Sequence, residues 1–153
     1  GHVATLHEGR VTQFGPAIGV YREPTDLTSA RVFSDPPINV AVASKHGTQI
    51  VLDDAAQWNA PPSLQTVPDG AITVALRPHH VRPAGGRGVP VSGPVLISEI
   101  SGSESVIHFG LAGGTWVSLA QGVRSHTVGE SASFALDVEH CLYFDDTGRR
   151  LAA

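Results

Sequence analysis

The sequence lacks several features that particular classes of protein require. Among its 153 residues there is one cysteine, Cys141, so no intramolecular disulfide can form. There is one lysine, Lys45, and ten lysine and arginine residues stand against fourteen aspartate and glutamate residues, which disfavours nucleic-acid binding by bulk electrostatics. No apolar run approaches the roughly 20 residues that span a bilayer, and the first residues do not have the pattern of a secretory signal.

The phosphate-binding loop of ATP-hydrolysing enzymes is also missing. That loop ends in Gly-Lys-Ser or Gly-Lys-Thr, because its amides surround the phosphates and its lysine reaches the β and γ oxygens. Lys45 stands between Ser44 and His46, outside any such motif, and residues 85–88 (Gly-Gly-Arg-Gly) predict a flexible turn. No Gly-x-Ser-x-Gly elbow of a serine hydrolase occurs either. We therefore expect no catalytic residues, and this chain by itself is predicted not to be an enzyme.

The eight histidines raise the question of a metal site. His79 and His80 are adjacent, so on a strand they would point to opposite faces and could not readily hold one ion. His108, His126 and His140 lie on or near separate predicted strands and do not have the spacing of a ligand pair. The sequence therefore predicts structural or solvated histidines and no metal ligands.

The first forty residues predict a hairpin followed by helical turns. Residues 3–6 and 10–14 alternate like short strands, and Gly9 suits the turn between them. Pro16 favours the first turn of a short helix over 17–21, and Pro24 ends it. A second short helix is predicted from the spacing of three apolar residues that would share one face: Leu27, Ala30 and Phe33.

The remainder of the chain predicts β structure. Short β-prone segments alternate with glycine- and proline-containing turns, which is typical of a small barrel or sandwich. Residues 55–68 contain prolines and no periodic pattern, and are predicted to be a connector. Cys141 is expected in the core, and Trp116, on an alternating segment, is expected to pack in the core or on a sheet face. The predicted strands cover residues 40–42, 49–52, 71–76, 94–97, 105–109, 115–119, 131–136 and 141–144.

Two motifs carry a resemblance to a known family. Residues 76–81 (Leu-Arg-Pro-His-His-Val) are similar to an Arg-Pro-x-His motif, and residues 144–151 (Phe-Asp-Asp-Thr-Gly-Arg-Arg-Leu) are similar to a closing strand and turn. Together with residues 9–39, they resemble the C-terminal regulatory (TOBE, OB-like) domain of sugar-type ABC importer ATP-binding subunits of the maltose and glycerol-phosphate family. The motif residues to which the resemblance gives a structural or regulatory role are Arg77, Pro78, His80, Phe144, Asp145 and Gly148.

The resemblance implies a division of the chain. Residues 1–37 would be the tail of a nucleotide-binding domain with a helical linker, and residues 38–153 an OB-like regulatory domain of short antiparallel strands. Arg77 and Pro78 would shape a turn, and His80 would order the strand junction beside them. ATP and Mg²⁺ would be bound by the nucleotide-binding domain outside this segment, so no cofactor is expected here.

The resemblance also implies partners and a cellular location. We expect a homodimer formed through the regulatory domain, transmembrane permease subunits reached through the parent protein, and a regulatory protein as a further partner. The parent protein would be cytoplasmic, peripheral to the inner face of the bacterial plasma membrane, and would drive uptake of a sugar, a polyol or a glycerol-phosphate.

An alternative reading is a ligand-binding module of the same barrel type. Such a module would bind a small oxyanion or a sugar, and binding to such ligands would distinguish it from a tethering domain. An oligonucleotide-binding barrel is a third reading, which the acidic balance and the single lysine disfavour.

Overall fold

The computed structural model describes residues 2–7, 10–16, 27, 37–122 and 126–151, and these residues are mainly β. Short 3-10 turns lie at Pro62–Leu64, Pro78–His80 and Val138–His140. The strands are β1 (His2–His7), β2 (Arg10–Pro16), β3 (Asn39–His46), β4 (Gln49–Leu52), β5 (Ala56–Asn59), β6 (Gly70–Leu76), β7 (Val81–Pro83), β8 (Val89–Ser101), β9 (Glu104–Leu111), β10 (Gly114–Gln121), β11 (Ser131–Leu136) and β12 (Leu142–Phe144).

All pairings between these strands are antiparallel, and they form three sheets. β1 and β2 pair with each other. One five-stranded sheet has the order β12-β6-β3-β4-β5, and the other has the order β10-β9-β8-β11-β7. The predicted mainly β fold of short antiparallel strands is confirmed. The predicted turn at Gly9 and the two predicted helices lie outside the described residues, apart from Leu27, which is helical.

The predicted connector at residues 55–68 is wrong, because this segment contains β5 and a 3-10 turn. Trp58 on β5 pairs with Ile50 and is 6% exposed, and Leu64 in the turn is fully buried. One buried side chain in each short element does not produce a periodic pattern. Burial of these two apolar side chains thus orders a segment that its prolines would otherwise interrupt.

β8 is much longer than the predicted segment at 94–97, because it pairs with two different strands along its length. Its first half pairs with β11 and its second half with β9, and an irregularity between Val95 and Ile97 shifts the register. Gly93 permits this change of partner: a Cβ added there would lie 1.8 Å from the carbonyl oxygen of Gly110. The backbones approach so closely that only glycine fits at this position.

Two strand–turn–strand units interlock the sheets. β6, the turn Pro78–His80 and β7 form one unit, and β11, the turn Val138–His140 and β12 form the other. The second strand of each unit pairs with the first strand of the other, since β7 pairs with β11 and β12 pairs with β6. The two units therefore exchange strands, and neither can complete its sheet alone.

A buried asparagine joins the two five-stranded sheets. Asn39 on β3 is 3% exposed, and its side-chain amide donates to the carbonyl oxygen of Val117 on β10 at 2.9 Å. Its Oδ1 accepts from the backbone N–H of Val117 at 2.7 Å. Nearby, the Ser118 hydroxyl donates to the carbonyl oxygen of Val81 on β7. β10 is thus bound by side chains to strands with which it forms no ladder, and the second sheet closes into a near-barrel.

Replacing Asn39 by alanine would leave two buried backbone groups of Val117 without partners. We expect Asn39→Ala to lower the free energy of unfolding in urea by about 2–4 kcal/mol, since each unsatisfied buried group costs about 1–3 kcal/mol. Asn39→Asp keeps the acceptor but loses the donor, and should be at least as destabilising.

Asn59→Ala is the matched control, because Asn59 is exposed and its side-chain oxygen accepts a solvent-exposed hydrogen bond from the side-chain amide of Gln49. Its effect should stay within about 0.5 kcal/mol. An Asn39→Ala protein as stable as the Asn59→Ala protein would contradict the role of Asn39 as a clamp.

Candidate functional site

The Arg-Pro-x-His motif lies where the chain leaves one five-stranded sheet and enters the other. Arg77 is extended (φ −69°, ψ 147°), as the residue before a proline prefers, and Pro78 begins the 3-10 turn. The backbone N–H of His80 donates to the carbonyl oxygen of Arg77 at 2.9 Å. Arg77 is 6% exposed and Pro78 is buried, so this motif fixes the direction of the crossover from β6 to β7.

The second motif closes the chain with an aspartate-centred turn. Oδ1 of Asp145 accepts from the Thr147 hydroxyl at 2.6 Å, from the Thr147 N–H at 2.9 Å and from the Arg149 N–H at 3.0 Å. The hydrogen bond from the Thr147 hydroxyl is the largest cause that lowers the pKa of Asp145. Gly148 has φ +84°, a left-handed conformation that glycine adopts without strain. The carboxylate therefore holds this turn, and the sequence pattern reflects turn geometry.

The closing turn contacts Leu27, which precedes β3 in the chain. The backbone N–H of Leu27 donates to the carbonyl oxygen of Gly148 at 2.8 Å. Its side chain packs against a small apolar cluster separate from the main core. The buried members of this cluster are Ile38, Ala75, Leu142 and Phe144. Leu27 is thus attached to the β structure both by a backbone hydrogen bond and by apolar contact.

The two motifs are connected through β6. Arg77 directly follows the last residue of this strand, and Phe144 pairs with Thr73 within it. The six motif residues predicted from the sequence are therefore distributed along one strand and its neighbours and do not line one pocket. Their contacts shape turns and pack side chains, which suits positioning of chain segments.

A histidine cluster lies between the two interlocked units. The rings of His80 and His140 stack with centroids 4.0 Å apart and planes 13° apart, and the ring of His79 lies 4.0 Å from that of His80. Burial is the main cause that lowers the pKa of His80 to about 4, followed by the charges of His79 and His140. Burial, and then the charge of Arg77, lowers the pKa of His79.

The local structure of these histidines differs from the strand considered in the sequence analysis. His79 and His80 lie on a 3-10 turn and not on a strand, and His140 lies on the equivalent turn of the other unit. A signal for this was present in the sequence. Ala75-Leu76 and His80 recur as Ala135-Leu136 and His140, each sixty positions later, so the repeat places both histidines at matching sites.

A cavity of about 320 Å³ opens at one end of the near-barrel. Strands β7, β9, β10 and β11 contribute its wall. Ser105 and Ser118 in that wall donate their hydroxyls to backbone carbonyl groups of Gly122 and Val81. The ring of His126 stacks on Phe134 with centroids 6.1 Å apart, and its buried Nδ1 has no hydrogen-bond partner. Cavities at barrel mouths are frequent ligand sites, so this cavity is the second candidate site.

One protein-family model matches part of the chain. Residues 74–144 match the TOBE domain family. The TOBE match begins at residue 74 within β6 and ends at the last residue of β12, so it covers both histidine turns and all but the first four residues of the two interlocked units. Arg77, Pro78, His80 and Phe144 lie inside the match, whereas Asp145 and Gly148 follow it directly.

Three curated relatives align along almost the whole chain. The sn-glycerol-3-phosphate import ATP-binding protein UgpC of Ralstonia nicotianae is 29% identical over 97% of the chain and 43% of that protein. The lactose transport ATP-binding protein LacK of Rhizobium radiobacter is 24% identical over 97% of the chain and 44% of that protein. The maltose/maltodextrin import ATP-binding protein MalK of Salmonella typhimurium is 27% identical over 95% of the chain and 42% of that protein.

These relatives confirm the resemblance to the C-terminal region of sugar-type ABC importer ATP-binding subunits. The chain spans less than half the length of the curated relatives it matches. Among the described residues, no helix of the TOBE-containing chain is long and apolar enough to cross a membrane.

A buried polar cluster lies near β12. Trp58 donates its indole N–H to the hydroxyl of Tyr143 at 2.9 Å, and Cys141 is 8% exposed beside them, which confirms the predicted core position of the cysteine. Burial raises the pKa of the Cys141 thiol from 9.0 to about 12. Burial also raises the pKa of Tyr143.

These raised pKa values predict a loss of stability at alkaline pH. The unfolded thiol releases its proton near pH 9.0 and the folded thiol near pH 12, so the stabilisation is complete below pH 9 and declines as the pH rises through that window. Urea unfolding from pH 7 to pH 11 should show this decline in the wild-type protein. Cys141→Ala should lose about 1 kcal/mol at neutral pH through reduced packing, but should decline less above pH 9. Parallel pH profiles of the two proteins would contradict this account.

Proposed function

We propose that this chain is the regulatory and dimerisation domain of the ATP-binding subunit of an ABC importer. The observation that carries the proposal is the alignment of 95–97% of the chain with import ATP-binding proteins, which includes the TOBE match. The cargo of the importer would be a sugar, a polyol or a glycerol-phosphate, in line with the names of these relatives.

The proposed division of labour leaves this chain without catalysis. Residues 1–37 would be the tail of a nucleotide-binding domain with its linker, and residues 38–153 the regulatory domain. ATP and Mg²⁺ would bind in the nucleotide-binding domain, which would contact transmembrane permease subunits at the inner face of the bacterial plasma membrane. A regulatory protein would act by binding this domain and favouring one orientation of the subunits.

The contact of Leu27 with the closing turn supports a coupling role. Leu27 is attached to the β structure by a hydrogen bond to Gly148 and by apolar contact with the cluster that contains Phe144. A displacement of the regulatory domain would therefore move the linker with it. Two such domains held together would keep two nucleotide-binding domains at high effective concentration while they open and close.

The tethering role predicts self-association of the chain. We expect sedimentation velocity to show a dimer whose fraction rises with protein concentration, and sedimentation equilibrium to give twice the mass of 16.0 kDa. The reason is that a tether must hold two copies together through this domain. A chain that remains monomeric at the highest attainable concentration would contradict the tethering role.

The barrel-mouth cavity favours a second candidate function, the binding of a small oxyanion or sugar. Its volume of about 320 Å³ is in the range of small-molecule sites, and hydroxyl and imidazole groups line it. Ser133, on β11, contributes an exposed hydroxyl to this wall.

Thermal unfolding with oxyanions, sugars and nucleotides separates the two functions. If the domain is a tether alone, we expect no ligand class to raise the melting temperature of the wild-type protein. Ser133→Leu would fill the cavity, whereas Ser131→Leu adds the same side chain at another exposed position of β11. A rise of several degrees in the wild-type and Ser131→Leu proteins that is absent in Ser133→Leu would favour the ligand-binding function instead.

A further inference from the structure

The two interlocked units bring two histidines and a carboxylate together. His80 ends the turn Pro78–His80, and His140 ends the turn Val138–His140. Asp137 begins the second turn, and its backbone N–H donates to the carbonyl oxygen of His80 at 2.9 Å. One ligand atom of each of these three residues lies within 4.8 Å of the others.

His80 presents a buried nitrogen that forms no hydrogen bond with any residue the structure describes. Its Nδ1 is buried and has no hydrogen-bond partner. An unsatisfied polar atom in such a position is unfavourable, and a bound ligand would remove the penalty.

Asp137 is oriented by two cations or potential cations on one of its oxygens. Oδ2 contacts Nη2 of Arg82 at 2.9 Å and Nδ1 of His140 at 3.0 Å. Within the described part of the chain, the other oxygen, Oδ1, accepts no hydrogen bond. Arg82 can therefore remain on Oδ2 as an orienting contact while Oδ1 approaches an ion, as carboxylate ligands in metal sites are commonly oriented.

We propose that His80, Asp137 and His140 bind a divalent transition metal ion such as Zn²⁺. Two imidazole nitrogens and one carboxylate oxygen are ligands that this class of ion prefers, and a water molecule would complete a tetrahedral shell. In such a shell the ligand atoms lie about 3.3 Å apart, given bonds of about 2.0 Å. The three ligand atoms, which lie within 4.8 Å of one another, must therefore move closer together, and the 52% exposed side chain of His140 can rotate to allow this.

The surroundings limit the affinity of this site. The positive charge of Arg82 disfavours a second cation nearby, and the side chain of Arg82 is 49% exposed, so solvent screens it. The stacking of His80 on His140 must also be given up in part. The ion would link the two turns and would stabilise the folded state by an amount that rises with the logarithm of its free concentration above the dissociation constant.

Isothermal titration of the chain with Zn²⁺ tests the proposal, with Co²⁺ as a spectroscopic probe. The protein must carry no histidine tag and must first be treated with a chelator. We expect one ion per chain, a rise in melting temperature, and visible absorption by Co²⁺ typical of a four-coordinate site. His140→Ala and Asp137→Asn should each weaken binding at least about tenfold, since each removes a ligand.

Two controls keep the result interpretable. His46→Ala removes an exposed histidine that is remote in sequence from the three ligands, and should bind like the wild type. Should Asp137→Asn fail to fold, His140→Ala alone decides, because this side chain is half exposed and its loss should be tolerated. Absence of binding by the wild-type protein, or equal binding by the His140→Ala and His46→Ala proteins, would overturn the proposal.

Discussion

The pair of hydrogen bonds between Asn39 and Val117 is the interaction on which the rest of the structure depends. Among the described residues, the two five-stranded sheets share no backbone hydrogen-bond ladder. The core between them is apolar, and apolar contacts do not specify an orientation. A side-chain amide that donates and accepts at the same residue imitates the pairing of a strand. It fixes which part of β10 lies against β3, and apolar packing alone would specify this less sharply.

The exchange of strands between the two units then makes the domain a single body. Because β7 completes the sheet of β11 and β12 completes the sheet of β6, opening one unit also exposes an edge of the other. Leu27 contacts this body at Gly148, four residues after the end of β12. Interdependent sheets suit the tethering role proposed above, since a soft domain would absorb the motion instead of transmitting it.

The sequence predicted the class of fold and most strands because alternating β-prone segments and turn residues are local signals. It missed what depends on distant partners. Trp58 is ordered by its hydrogen bond with Tyr143, and no pattern around residue 58 indicates that contact. Similarly, no pattern around Lys45 indicates that its side chain is buried. Lys45 is nevertheless 1% exposed, and its Nζ lies 3.2 Å from Oδ1 of Asp69. The placement of the Arg-Pro motif at a turn was predictable from proline chemistry, whereas the meeting of His80 with His140 required the repeat to be recognised.

Native-state hydrogen exchange at the amide of Val117 tests most directly whether the two sheets form one cooperative unit. This N–H donates to the side chain of Asn39 across the sheets, so its protection reports the clamp itself. The account predicts that it exchanges with the same opening free energy as the core amides of β6, close to that of global unfolding. Fast exchange at Val117 while the amides of β6 and β9 remain protected would show that the sheets open independently, and would contradict the account.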